Sequence, residues 1–150
     1  MKLNLGCSNS LVSGYINVDI AETPGVVRVD LSVAPWPWAD STIEHIIAHD
    51  IIEHLANKIQ TMNEIYRVLV PNGTVHIVVP TTDGPGAWQD PTHVSFWNMN
   101  SFKYYYHGSE EQRRFAKAYN ITAMFRAISS TLHPDQGDGP RAELTLVAVK

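Results

Sequence analysis

Five strand-like segments constrain this chain most, because a residue able to bind a ligand or do chemistry stands at or directly after the end of nearly every one. The predicted strands are residues 2–6, 15–20, 26–31, 43–49 and 74–80. They alternate with turns or helical segments, a pattern that predicts a largely parallel sheet. The carboxyl ends of parallel strands share one edge, where ligands bind. We therefore expect one crevice lined by several separate segments.

The residues at these ends have distinct capabilities. Gly6 allows a tight turn and a close approach of backbone to ligand. Asp19 can accept both hydroxyls of a ribose, or it can cap its own loop. Asp30 can accept from the exocyclic amine of an adenine while Leu31 packs on the ring, or it can cap a turn. His49 ends the fourth strand at the same edge.

Two helices and a hairpin complete the predicted fold. Asn57 is a favourable N-cap for a helix with apolar residues at helical spacing, and Pro71-Asn72-Gly73 should stop it. Ser109 and Gln112 form a capping box for a helix that ends near Tyr119. Two last strand-like runs predict an antiparallel hairpin, with its turn at 135–140; they are residues 121–132 and 141–149.

Composition narrows the class of protein. The 150 residues favour one domain, residues 1–150, with an α/β, Rossmann-like fold. No apolar run approaches 18 residues, so we expect no membrane span, and the start of the chain leaves no room for a signal peptide. A single cysteine, Cys7, fits a reducing, cytoplasmic location. The net charge of −4 argues against a nucleic-acid partner.

The residues after Gly6 discriminate between nucleotide cofactors. NAD requires Gly-x-Gly-x-x-Gly, so that its pyrophosphate can reach a helix N-terminus. Here Cys7 and Ser8 follow Gly6, and the second and third glycines are missing. S-adenosylmethionine has a ribose and an adenine but no phosphate. The sequence therefore favours it, and a nicotinamide-dependent dehydrogenase is the weaker alternative.

Seven strings of residues, in order, resemble class I methyltransferases of the type 11 group. The resemblance covers roughly residues 2–105. The strings are LNLGC at 3–7, GYINVD at 14–19, DL at 30–31, PWPWADS at 35–41, HDIIEHL at 49–55, EIYRVLVPNG at 64–73 and DPTH at 90–93.

This resemblance implies S-adenosylmethionine as cofactor and gives each residue a part. The turn Gly6–Ser8 would cradle the methionine moiety, and Ser8 stands where the family has its second glycine. Asp19 would bind the ribose, Asp30 and Leu31 the adenine, and His49 would line the sulfonium side. The neighbouring Asn4, Cys7, Ile20 and Asp50 complete the predicted cofactor site. The short link after the first strand also implies a reduced first helix.

The unpatterned segment after residue 80 is the candidate acceptor site. Trp88 and Trp97 flank Asp90 and His93, and with Thr81 they are expected to form the acceptor pocket. His93 is the candidate general base, because imidazole titrates near pH ~6.5, and Asp90 would orient it. The alternative is that residues 90–93 form a self-bonded turn that only holds the loop.

We expect a small acceptor, such as a sugar, that bears a hydroxyl group. No Asp-Pro-Pro-Tyr string is present, which argues against methylation of a nucleobase amine, and the only cysteine lies in the cofactor turn. A non-catalytic cofactor-binding module is the main alternative function. A homo-oligomer could complete the acceptor pocket.

The acidic and histidine residues between 45 and 54 also raise the question of a metal. A helical zinc site needs two histidines four apart or His-x-x-Glu-His. The string HDIIEH is one residue too long, and His45 and His49 lie on a predicted strand. No metal is expected from this segment.

Overall fold

The computed structural model describes residues 1–135 and 137–150. Gln136, which the sequence places in the hairpin turn, lies outside the described residues. The strands of the sheet are β1 (Lys2–Leu5), β2 (Ile16–Asp19), β3 (Val26–Arg28), β4 (Ile43–His49), β5 (Leu69–Pro80), β6 (Phe125–His133) and β7 (Arg141–Ala148). The helices are α1 (Lys58–Val68), α2 (Gly86–Gln89) and α3 (Glu110–Tyr119), with 3₁₀ turns at Ile52–His54 and Met99–Tyr105.

The strand order in the sheet is β3-β2-β1-β4-β5-β7-β6. The first five strands pair in parallel, and β7 pairs antiparallel with both β5 and β6. This confirms the predicted α/β, Rossmann-like sheet with its antiparallel C-terminal hairpin. In the register of β1, Leu5 lies opposite Val18 and Ala48. The ends of β1, β2 and β4 therefore meet at one edge.

The connection between β1 and β2 is short. Residues 6–15, all of which the structure describes, contain turns and no helix. The Asn4 side chain stabilises this connection by donating to the Ser10 carbonyl at 2.9 Å and to Asn17 Oδ1 at 2.9 Å. The reduced first helix is thus confirmed.

One face of the sheet carries the core. Leu3, Ile46, Ile77 and Leu144 alternate along their strands and are fully buried, in one cluster with the buried positions of α1. In β4, in β5 between Thr74 and Val79, and in β7 up to Leu146, the residues between the buried positions are only half-buried or exposed. The period-2 pattern therefore sets which side chains of β4, β5 and β7 enter the core.

The start of β5 differs from the sequence prediction. We expected the strand to begin at Thr74, but it begins at Leu69. Leu69 pairs with Ile43 and Thr74 with His45, so the residues between them bulge out of the ladder. A bulge tolerates proline and a left-handed residue, which explains Pro71 and the φ of +61° at Asn72. The helix ends at Val68, shortly before the predicted stop.

The predicted helix caps are present. The side chain of Asn57 accepts from the backbone N–H of Gln60, and that of Ser109 accepts from the N–H of Gln112. The Ser109 N–H bonds to the Tyr106 carbonyl, so the cap is one-sided rather than a reciprocal box. Within the described residues, each helix falls short of the length and apolar character that a membrane crossing requires.

Candidate functional site

A cavity of about 260 Å³ lies at the carboxyl ends of β1, β2 and β3; we call it the strand-end cavity. Five residues predicted to bind a cofactor line it: Gly6, Asp19, Ile20, Asp30 and Leu31. Its other lining residues are Val29, Ser32, Ile51, His54 and Leu55. The parallel register of the strands thus brings together segments that are up to 50 residues apart.

Asp19 at the end of β2 is both a loop cap and an available acceptor. Its Oδ2 accepts from the Ser8 N–H at 2.8 Å, and its Oδ1 accepts from the Ala21 N–H at 3.0 Å. A carboxylate oxygen can accept more than one hydrogen bond, so both oxygens can still receive a hydroxyl. The two N–H groups fix the orientation of the carboxylate.

Gly6 begins the turn that follows β1. Its φ is +62°, and a Cβ at this position would lie 2.6 Å from the Ile51 side chain. Glycine is therefore required by both the backbone conformation and the close packing of Ile51. This packing lets the wall formed by Ile51 approach the wall formed by the β1 turn.

Asp30 and Leu31 form the far wall of the strand-end cavity. Asp30 Oδ1 accepts from the backbone N–H and the hydroxyl of Ser32, at 2.9 and 2.6 Å, which holds the pKa of this carboxyl below its usual value. No described group donates to Oδ2. Leu31 is buried, and its carbonyl accepts from Trp36 Nε1. This wall therefore offers a free carboxylate oxygen beside an apolar surface.

Cys7 and Ser8 lie outside the lining of the strand-end cavity. Cys7 is buried, and its N–H donates to the Val18 carbonyl. Burial, with a smaller contribution from the Asp19 charge, raises the pKa of its thiol. Ser8 has a φ of +44°, a conformation that glycine adopts at little cost. These residues shape the turn, and their contacts with a cofactor stay predictions.

His49 does not line the strand-end cavity. Its Nε2 lies 2.8 Å from Nδ1 of His76 on β5, whose Nε2 lies 2.9 Å from Glu143 on β7. His133 on β6 approaches the other oxygen of Glu143. Burial and the neighbouring His76 lower the pKa of His49. The predicted role of His49 beside the sulfonium therefore stays a prediction.

A second cavity of about 240 Å³, the polar cavity, adjoins the strand-end cavity. Its polar walls come from Asp50, Glu53, His54, Asp90, His93 and Arg141, and Asp50 forms an ion pair with Arg141. His54 lines both cavities. The two cavities therefore have this side chain as a common wall.

Backbone hydrogen bonds hold the two chain segments of the polar cavity together. The Glu53 carbonyl accepts from the N–H groups of Val94 and Ser95, both at 2.9 Å. The buried Ser95 hydroxyl donates to the Ile52 carbonyl. As a result the rings of His54 and His93 lie edge to face, with centroids 4.8 Å apart.

The segment 90–93 has features of both predicted alternatives, the self-bonded turn and the candidate base. Asp90 Oδ1 accepts from the Thr92 N–H and hydroxyl, at 2.8 and 2.6 Å, so the turn is self-bonded. His93 Nδ1 lies 3.2 Å from the Ala87 carbonyl, which can only accept, so Nδ1 carries the hydrogen. His93 Nε2 is left as an acceptor on a cavity-lining residue, 3.9 Å from Asp90 Oδ2. The Ala87 carbonyl orients the ring.

Glu53 is a polar-cavity residue that the sequence did not single out for chemistry. It is 2% exposed, and neither carboxylate oxygen has a hydrogen-bond partner among the described residues. Burial, with a smaller effect of Asp90, raises the pKa of Glu53 to about 7. A glutamate that directly follows the apolar pair Ile51 and Ile52 was the available signal. Its burial depends on the distant loop 90–95.

The model of a family described as a methyltransferase domain matches residues 3–77, half of the chain. The matched segment contains the strand ends that form most of the strand-end cavity. The chain belongs to the methyltransferase-domain family. This membership confirms the S-adenosylmethionine-dependent methyltransferase expected from the sequence. A search of curated proteins finds no match to this chain.

Solved structures share the fold of this methyltransferase at low sequence identity. An S-adenosylmethionine-dependent methyltransferase from Methanosarcina mazei has a TM-score of 0.62 and 14% identity, over 99% of this chain and 92% of that one. A Burkholderia thailandensis 1,6-didemethyltoxoflavin N1-methyltransferase with bound 1,6-didemethyltoxoflavin and S-adenosylhomocysteine has a TM-score of 0.61 and 16% identity, covering 99% of this chain and 71% of that one. The [4+2]-cyclase SpnF has a TM-score of 0.65 and 12% identity, covering 99% and 74%. The fold therefore hosts more than one chemistry.

The three residues predicted to form the acceptor pocket of this methyltransferase occupy different environments. Trp88 is 58% exposed and stacks on Phe96. Trp97 is fully buried, stacks on Phe102 and donates its Nε1 to the Ser95 hydroxyl. Thr81 is also fully buried. Thr81 and Trp97 pair in an isolated parallel β-bridge, and none of the three residues lines the strand-end cavity or the polar cavity.

Proposed function

We propose that this chain transfers a methyl group from S-adenosylmethionine to a hydroxyl group of a small molecule. The adenosyl group lies in the strand-end cavity, with its ribose on Asp19 and its adenine between Asp30 and Leu31. The acceptor lies in the polar cavity, beside His93.

One observation carries the proposal: the two cavities adjoin and share His54. Methyl transfer needs the acceptor atom in line with the bond that breaks, and alignment of two reactants is worth about 7–11 kcal/mol. Two adjoining cavities with different linings meet this need. The apolar wall of the first suits an adenosine, whereas the charged walls of the second suit a hydroxylated molecule.

The sulfonium of the cofactor supplies a methyl carbon that is already activated, and the transfer releases S-adenosylhomocysteine. The work of the protein is alignment, exclusion of water and removal of one proton from the acceptor hydroxyl. His93 Nε2 is placed for the last task, because Nδ1 is held by the Ala87 carbonyl. A positioned base contributes about 10²–10⁴-fold.

The charged wall of the polar cavity favours an acceptor that offers several hydroxyl groups. The ion pair of Asp50 and Arg141, with Asp138 bound to Arg141 at 3.0 Å, presents both donors and acceptors. A sugar matches such a wall because each of its hydroxyl groups can both donate and accept. The acceptor class is thus part of the proposal.

Two measurements test the proposal in sequence. Calorimetry with S-adenosylmethionine should show one site per chain, and a coupled assay should detect S-adenosylhomocysteine with at least one acceptor of a polyol panel. Binding without product across the panel would favour a non-catalytic cofactor-binding module. Absence of cofactor binding would contradict the proposal outright.

A further inference from the structure

We infer that Glu53, His54 and His93 form a binding site for a divalent transition-metal ion in the polar cavity. Each residue offers one ligand atom, and the three atoms lie within 4.8 Å of one another. The binding inference stands on its own geometry, whereas its catalytic consequence rests on the proposed function.

The two imidazoles present the nitrogen that a metal needs. His93 Nδ1 donates to the Ala87 carbonyl at 3.2 Å, and His54 Nδ1 donates to the Thr92 carbonyl at 3.3 Å. Because a carbonyl can only accept, each Nδ1 carries the hydrogen and each Nε2 keeps its lone pair. A metal-bound histidine typically has this arrangement, with its second nitrogen donating to a carbonyl that fixes ring and tautomer.

Glu53 supplies the observation that points to a cation. Its carboxylate is buried, lines the cavity and has no hydrogen-bond partner among residues 1–135 and 137–150. A buried carboxylate without a partner is costly unless a charge or hydrogen bond compensates it. A cation beside it removes that cost.

The type of ion follows from the ligands. Two imidazoles and one carboxylate suit zinc or ferrous iron, whereas magnesium and calcium prefer oxygen ligands alone. Asp90 Oδ2 lies 3.9 Å from His93 Nε2 and can become a fourth ligand. Glu53 and Asp90 together then balance the charge of a divalent ion.

The main chain preorganises the site. The N–H groups of Val94 and Ser95 both donate a hydrogen bond to the Glu53 carbonyl. These two hydrogen bonds hold the loop that carries His93 against the turn that carries Glu53 and His54. Zinc binds such ligand atoms at about 2.1 Å. The distances between the three ligand atoms must therefore shorten by roughly 1 Å when the ion binds. Side-chain rotation of Glu53, which no hydrogen bond restrains, can supply most of this movement.

A bound ion would change how His93 acts in methyl transfer. Its Nε2 becomes a ligand, and the ion polarises the acceptor hydroxyl and lowers the pKa of its O–H group. His93 then activates the acceptor through the ion instead of taking the proton itself, and the proton of the O–H group passes to solvent water. Asp90, on the same cavity wall, remains available as a ligand or as a hydrogen-bond acceptor.

The experiment is a titration of the full chain, first treated with a chelator and then freed of it, with Zn²⁺ and separately with Co²⁺. We expect one ion per chain by calorimetry and, for Co²⁺, a visible absorption band of low coordination number. The variants Glu53→Gln and His93→Gln should each weaken Zn²⁺ binding by about tenfold or more. Circular dichroism verifies that each variant is folded.

Two control variants localise the ion. His107→Gln removes an exposed histidine outside the cavity and should leave the titration unchanged. His76→Gln disrupts the hydrogen-bonded row that runs from His49 on β4 through His76 on β5 and Glu143 on β7 to His133 on β6. If His76→Gln abolishes binding while Glu53→Gln and His93→Gln retain it, the inference is wrong. A wild-type chain that binds neither ion overturns it as well.

The cofactor titration separates this inference from the proposed function. Zn²⁺ binding without S-adenosylmethionine binding would support the metal site and contradict the methyl transfer. S-adenosylmethionine binding and turnover in a chain that binds no Zn²⁺ or Co²⁺ would do the reverse.

Discussion

The strand-end cavity and the polar cavity adjoin, yet they are built differently. Most of the first comes from residues directly at the ends of β1, β2 and β3, and backbone N–H groups fix its carboxylates in place. The second comes from chain segments up to 91 residues apart, and it contains a buried carboxylate that has no hydrogen-bond partner in the described part of the chain. Local strand geometry therefore builds a binding surface, whereas long-range loop docking places groups that can react.

The largest effect should come from the polar cavity. His93→Ala removes the group that activates the acceptor, so turnover should fall by about 10²–10⁴-fold while cofactor affinity stays nearly constant. Steady-state release of S-adenosylhomocysteine and calorimetry measure the two quantities. The exposed His107→Ala is the matched control. Equal loss of cofactor affinity would show that the two cavities do not work separately.

A second prediction concerns the wall of the strand-end cavity. Gly6→Ala should lower the free energy of unfolding by roughly 2 kcal/mol or more, because it combines a positive φ with a clash against Ile51. Gly14 also has a positive φ, but a Cβ at this position would meet no neighbouring atom within 4 Å. Gly14→Ala should therefore lower the free energy of unfolding by less. Urea denaturation compares them. Equal losses would mean that Ile51 adapts freely.

The carboxylate of Asp19 tests the binding surface itself. Asp19→Ala should weaken S-adenosylmethionine binding at least tenfold, which is about 1.4 kcal/mol, because the ribose loses its acceptor. Asp83→Ala, an exposed aspartate beyond β5, should bind the cofactor normally. Unchanged affinity in a folded Asp19→Ala chain would reduce this residue to a loop cap.

The smallest predicted effect depends on pH. Burial raises the pKa of Glu64, but hydrogen bonds from Arg67 and the Trp36 N–H outweigh it, so the net pKa is below the usual value. A lowered carboxyl pKa contributes stability above pH 4.5 that is lost as the pH falls through the folded value. Glu64→Gln should therefore cost about 1 kcal/mol at pH 7 and less at pH 4.

Glu64→Gln also tests the support of one wall of the strand-end cavity. Trp36 donates its indole N–H to the carbonyl of Leu31, so the Glu64 network supports the wall of the strand-end cavity that Asp30 and Leu31 form. Thermal unfolding over a pH series measures the effect, and the exposed Glu22→Gln is its control. A difference that grows as the pH falls would contradict the assigned direction.

The contrast between the cavities also explains what the sequence could predict. Gly6, Asp19 and Asp30 were found because the position of a strand end follows from a local alternation of apolar residues. The pairing of Glu53 with His93 was not found, because it depends on hydrogen bonds from residues 94 and 95 that no local pattern encodes. Trp97 shows the same limit: its position in a loop suggested a pocket, yet tertiary packing buries it completely.

The central claim is that an adenosyl group binds between the ends of β1, β2 and β3 and directs its sulfur toward His54. A crystal structure of the chain with S-adenosylhomocysteine tests it most directly. We predict ribose hydroxyls within hydrogen-bond distance of Asp19, the adenine against Leu31, and the sulfur at the boundary with the polar cavity. Ligand density at another surface, or with the sulfur directed away from His54, would contradict the account.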